Sequence, residues 1–155
     1  MLPRLQVVGS LNAHADGGSG CLAVAASPEP TSPLLASSDQ RGTVLLWDMR
    51  QLGKGPVAEA TLPGAARALA FVAGTFFGAT DPSALLVSGS ADAQLRAHDT
   101  RKALAVEASA TVLNTILSVD ASPDAANPRL ASGGGTGKKA SDAGISIWRV
   151  EAGSS

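Results

Sequence analysis

Residues 34–50 read Leu34-Leu35-Ala36-Ser37-Ser38-Asp39-Gln40-Arg41-Gly42-Thr43-Val44-Leu45-Leu46-Trp47-Asp48-Met49-Arg50. Two short apolar runs flank a polar turn that ends in glycine, the pattern of two strands joined by a tight turn. The phrase returns as Leu85-Leu86-Val87-Ser88-Gly89-Ser90, closing on His98-Asp99-Thr100-Arg101. It returns again as Arg129-Leu130-Ala131-Ser132-Gly133-Gly134, closing on Ile145-Ser146-Ile147-Trp148-Arg149. The anchors Trp47, His98 and Trp148 stand about 50 residues apart, a period of stacked-repeat architectures. A repeat of that size cannot bury its own faces and must lean on its neighbours.

Working outward, each repeat resolves into short apolar runs separated by turn residues. The first gives strands over 21–26, 33–37, 43–48 and 57–62. The second gives 67–72, 84–88, 94–99 and 103–108, and the third 115–120, 129–132 and 144–150. Residues 5–8 read as the outer strand of a preceding unit. Cys21 falls in an apolar strand and reads as a small core residue. The inner runs are apolar almost throughout, which suits strands covered on both faces. The stretch 104–117 is the strongest rival for a helix, but its β-branched residues and its match to the repeat favour strand.

Composition narrows the classes of function. The chain has 155 residues and a net charge of −1, so its balance steers it to neither nucleic acid nor anionic membrane. Three Phe, two Trp and no Tyr leave little for stacking bases. One cysteine cannot form an internal disulfide, which points to a reducing cytoplasmic or nuclear setting. Met1 to Val8 lacks an apolar core of signal-peptide length. The longest uncharged run, Ala68 to Thr80, is shorter than a membrane span and contains Gly74 and Gly78.

The segments LLASSDQRGTVLLWDMR, LLVSGSADAQLRAHDTR and RLASGG…SDAGISIWRV resemble WD repeats. The resemblance implies an all-β fold of β-propeller blades. It covers 1–150 as units of about 9–62, 63–108 and 109–150, with 151–155 as a flexible tail. About three blades make an incomplete or partial propeller, because three cannot close a ring. The open blade ends then call for further blades or another chain.

The resemblance also implies a hydrogen-bond relay within each blade, linking a His, a Ser or Thr, an Asp and a Trp. The first unit offers His14, Ser37 and Trp47, with Arg41 at the Asp position. The second offers Ser88 and Asp92, with His98 in place of Trp. The third offers Ser132, Asp142 and Trp148. On this reading no unit has the complete relay.

Trp47-Asp48-Met49-Arg50 and His98-Asp99-Thr100-Arg101 are similar to the box by which substrate receptors of cullin-4 ubiquitin ligases contact the damaged-DNA-binding protein adaptor. That assigns Asp48, Arg50, Asp99 and Arg101 to partner binding, a role suited to the planar guanidinium fork. Set beside it, Arg50 and Arg101 are ordinary solvated residues after a strand.

Other chemistry is weaker. Residues 133–139 invite a phosphate-loop reading, but the spacing places Ser132 at its first glycine and Lys139 at its Ser/Thr, and no helix follows. His14, His98, Ser88 and Asp99 hold hydrolytic residue types, yet both histidines fall at framework positions. Too few His and Cys are present to converge on a metal. The expectation is a non-enzymatic scaffold for protein–protein interactions in a multiprotein complex. It has no cofactor, no catalytic or metal site and no direct nucleic-acid or membrane binding. A cullin-4 receptor is the alternative and a hydrolase a remote one. The loops at 28–33, 74–83 and 133–141 are the expected contact regions.

Overall fold

Eleven short strands form three antiparallel sheets, each strand hydrogen-bonded to the next in sequence. The structure is a computed structural model, and it describes residues 6–7, 9–14, 19–73, 84–135 and 143–150. The first sheet is β1 (Cys21–Ala26), β2 (Leu34–Asp39), β3 (Thr43–Asp48) and β4 (Ala58–Thr61). The second is β5 (Ala66–Val72), β6 (Leu85–Ser90), β7 (Gln94–Asp99) and β8 (Ala105–Thr111). The third has three strands, β9 (Ile116–Ala121), β10 (Arg129–Gly134) and β11 (Gly144–Arg149). No α-helix occurs among the described residues, and none of their helices is long and apolar enough to cross a membrane.

Strands form here because the sequence supplies short apolar runs between turn residues. The turn from β2 to β3 depends on Gly42, whose φ of +88° belongs to the left-handed region. A Cβ there would also run into the Leu62 and Gly64 carbonyl oxygens. Each strand expected within the three repeats finds its counterpart, with shifts at several ends. The largest is at β8, which runs to Thr111, past the 108 at which the second unit was expected to close. Pairing of Gln94 with Thr111 carries it there, and Gln94 Nε2 donates to Thr111 Oγ1 at 2.7 Å. Of the leading strand expected over 5–8, Gln6 and Val7 are in no strand, and Leu5 and Val8 lie outside the described residues. Residues 74–83, 136–142 and 151–155, which hold one expected loop, most of another and the tail, also lie outside them, and Gly133 and Gly134, expected to open the 133–141 loop, end β10 instead.

The sheets stack through their first strands, β1 on β5 and β5 on β9. One apolar cluster joins Ala36, Val44 and Leu46 of the first sheet to Leu69, Phe71 and Leu86 of the second. Another joins Val72, Leu85, Val87 and Leu95 of the second to Ile116 and Leu130 of the third. The second sheet is thus covered on both faces. That explains why five consecutive residues of β5, Ala68 to Val72, are buried, where a sheet covered on one side would alternate. Burying a Leu, Ile or Phe at these junctions contributes about 1.5–3 kcal/mol each. Gly89 permits the second junction, since a Cβ there would overlap the Ile116 side chain. Cys21, expected in the core, is exposed instead. It stands beside the irregularity at Leu22 where β1 loses register with β2.

Candidate interaction site

The register places one polar seam in each sheet. Ser37 pairs with Leu45 and Leu35 with Trp47, so Ser37 and Trp47 share a face two residues apart. Ser88 and His98 repeat this across β6 and β7, and Ser132 and Trp148 across β10 and β11. In every case the second-strand serine bonds the third-strand ring. Trp47 Nε1 donates to Ser37 Oγ at 2.9 Å, and Trp148 Nε1 to Ser132 Oγ at 2.9 Å. Ser88 Oγ lies 2.8 Å from His98 Nε2.

In the first sheet the seam continues outward. Ser37 Oγ lies 2.8 Å from His14 Nε2, and His14 Nδ1 lies 3.2 Å from Asp39 Oδ2. Trp47 Nε1 donates to Ser37, and the Asp39 carboxylate, which only accepts, takes the His14 Nδ1 proton. The carboxylate also accepts from Ser19 Oγ at 3.0 Å and from the Arg41 and Thr43 backbone N–H groups. Burial raises the Asp39 pKa, but these hydrogen bonds and the nearby His14 outweigh it and hold it below 3.8. This corrects the expectation of an incomplete relay. Arg41 stands where the carboxylate was sought, and Asp39 supplies it from two residues upstream. His14 reaches both partners from a left-handed backbone, at φ 60°.

The second sheet closes its seam locally. His98 Nδ1 lies 3.0 Å from the Leu104 carbonyl oxygen, which only accepts, so Nδ1 carries the proton and Nε2 receives the Ser88 hydroxyl. Burial pushes the His98 pKa below 6.5 and Arg96 adds to this, against the opposing Leu104 bond. Leu104 and Ala103 both hold positive φ to present that carbonyl. Asp92, expected in the relay, turns to Arg96 instead, with contacts of 3.1 and 2.6 Å. In the third sheet Asp142 lies outside the described residues. Beside the Ser132–Trp148 pair is a cleft of about 440 Å³, lined also by Ile116, Gly134 and Gly144.

Both Asp-x-Arg boxes fold into closed brackets. Arg50 grips Asp48 with Nε at 2.9 Å and Nη2 at 2.7 Å, and its backbone N–H bonds the same carboxylate. The side-chain bond from Arg50 holds the Asp48 pKa down at about 2. Arg101 grips Asp99 in the same way, at 3.0 and 2.8 Å. The brackets differ in depth. Asp99 is fully buried beneath an Arg101 side chain 39% exposed, whereas the Arg50 side chain is 63% exposed. Each presents an arginine already oriented by its own strand end.

Sequence reasoning missed Asp39, Ser19, Arg96 and Leu104. The nearest signal was Asp39 itself, an acid two residues after the relay serine. No group of three or more His, Cys, Asp or Glu side chains that could hold a metal occurs among the described residues. No protein-family model matches the chain, and no curated protein matches it.

Proposed function

We propose that the three sheets are consecutive WD-type β-propeller blades, about three in number, forming an incomplete or partial propeller. On this reading the protein is a non-enzymatic scaffold that mediates protein–protein interactions in a multiprotein complex. The observation that carries it is the serine–ring bond, made at one register in three sheets packed face to face. Every described His is spent on such a seam, which leaves these residues framing the sheets rather than meeting a substrate. The strands fix the turns, and turns and strand ends make the contacts. Co-purification of the tagged protein with a stable multiprotein or ribonucleoprotein particle is the expected result. Turnover abolished by His98→Ala in a protein that still folds would overturn the scaffold reading.

The repeated brackets favour a second reading, a substrate receptor of a cullin-4 ubiquitin ligase. Arg50 and Arg101 would contact the ligase adaptor, each held ready by Asp48 or Asp99. Pull-down of the adaptor by the wild type and loss of it with Arg50→Ala plus Arg101→Ala is the expected result. Equal recovery by both proteins would sink the arginine contact.

A further inference from the structure

β11 holds the third place in its sheet, the place β3 and β7 hold in theirs. β3 is hydrogen-bonded to β2 and β4, and β7 to β6 and β8. Among the described residues β11 pairs with β10 alone. The common register puts Ile145 and Ile147 where the first sheet has Val44 and Leu46. Val44 and Leu46 are 0% and 2% exposed, Ile145 and Ile147 79% and 68%.

The backbone shows the same asymmetry. Val150 N–H donates to the Pro128 carbonyl oxygen at 3.2 Å, which sets the alternation along the strand. Trp148 and Ser146 direct their backbone groups to β10, and Ile145 and Ile147 direct theirs away from it. Exposed sheet edges are commonly guarded by proline, lysine or another charge. The outer edges of the first two sheets carry Glu59 and Glu107. From Gly144 to Trp148 the third sheet's edge carries no charge and no proline.

We propose that β11 is a homodimer interface, at which the β11 strands of two chains pair antiparallel about a two-fold axis through Ser146. The strand's own pattern selects a second copy as its occupant. With Ser146 opposite Ser146, Ile145 of each chain meets Ile147 of the other, and these are the residues whose backbone groups point outward. Two such pairs form, each exchanging two hydrogen bonds, and their side chains gather on one face within cross-strand reach. On the other face Trp148 meets Gly144, which leaves room for the indole. Arg149, the only charged residue in the strand, meets Ala143, so no like charges oppose. Any extended peptide would gain the backbone bonds, but a two-fold copy also matches side chain to side chain. Two three-stranded sheets become one of six strands, closed by the commonest oligomer symmetry.

Sedimentation of the wild type over a dilution series is expected to show a two-chain particle dissociating to one. Ile147→Pro removes an N–H that β10 does not use, and the dimer is expected to be lost. Ile145→Lys with Ile147→Lys brings like charges together on exposed positions, with the same expected loss. Circular dichroism checks that both variants fold. Opposed residues at a non-hydrogen-bonded pair lie close enough for a disulfide. In a Cys21→Ser background, Ser146→Cys is therefore expected to cross-link two chains under oxidation, and Gly144→Cys is not. A wild type that stays a single chain, a dimer that survives both variants, or no cross-link at Ser146→Cys each overturns the proposal. A single chain whose Ile145 and Ile147 amides resist hydrogen exchange would show the edge filled from within, which overturns it too. None of these results bears on the capture of other proteins, so the dimer and the scaffold reading fail separately.

Discussion

The first and second sheets bury the same serine by opposite means. Ser37 sits in a seam that runs out through His14 to Asp39, a carboxylate that takes two side-chain and two backbone donors. Ser88 sits in a seam that ends one bond away, on the Leu104 carbonyl oxygen. The second sheet is covered on both faces, so a neutral, self-contained seam suits it. Among the described residues the first sheet packs against only one other sheet, and segments outside its strands, at His14 and Ser19, cover the seam instead. Histidine at position 98, where the other two sheets have Trp, is thus compatible with a sound sheet, because it makes the same bond to serine and adds one to the backbone.

The sharpest way to break the comparison is at the carboxylates. Asp39→Ala removes an acceptor from four donors in a buried setting, and a loss of about 3 kcal/mol of unfolding free energy is expected. Asp92→Ala, at the position where a relay acid was expected, removes the partly exposed pair with Arg96 and one bond from the Gln94 backbone N–H, and about 1 kcal/mol is expected. Urea unfolding of the two variants side by side measures this. Equal losses would mean that Asp39 is no more structural than Asp92.

The histidine seam comes next. His98→Phe keeps a buried ring and loses both hydrogen bonds, with an expected cost of about 2 kcal/mol. Its signature is in the pH dependence. The folded pKa of His98 lies below the unfolded 6.5. As pH falls below 6.5 the unfolded chain gains a proton that the folded chain refuses, so stability declines down to the folded pKa. His98→Phe is expected to lack that part of the decline. Asp39, Asp92 and Asp99 are also depressed, from 3.8. Their stabilisation is present above that value and is lost as pH falls through their folded values. Both proteins therefore share the steeper loss in stronger acid. A wild-type profile flat from neutrality down to the aspartate range would sink the assignment of a neutral, buried His98.

The third sheet offers a milder contrast. Trp148 makes the same bond to serine as Trp47, but no histidine joins it and the indole is only half-buried. Ser132→Ala is expected to cost about 1 kcal/mol, and Ser37→Ala more, because Ser37 serves two partners. Equal costs would show that His14 adds nothing to the seam.

Much of this was legible in the residues. Apolar runs of strand length between turn residues placed all eleven strands, and three of them, β1, β3 and β7, have the bounds expected. The serine–ring pairs were legible because both partners recur at fixed spacing. Asp39 was not, because the relay acid was sought at one offset from the serine. A carboxylate two residues earlier reaches the same histidine once the turn at Gly42 folds back. Leu104 was invisible for another reason. Its contribution is a backbone carbonyl oxygen, which no side-chain pattern marks. The exposure of Cys21 follows from a loss of register in β1, which local hydrophobicity does not encode.

The smallest expected effect separates the two arginine brackets. The Arg50 side chain is largely exposed, so solvent screens its pair with Asp48, and Arg50→Ala is expected to leave the urea midpoint unchanged. The change belongs in the titration instead. Arg50 donates by side chain and backbone and holds Asp48 at about 2. The variant keeps only the backbone bond, so the Asp48 midpoint is expected to rise toward 3.8 in a carboxylate-detected NMR titration. Arg101→Ala exposes the contrast, since Asp99 is fully buried and loses the guanidinium that offsets its burial. There the midpoint is expected to rise and the fold to weaken together. If Arg50→Ala weakens the fold as much as Arg101→Ala, the outer bracket is a structural clasp. Its arginine is then less suited to meet a partner.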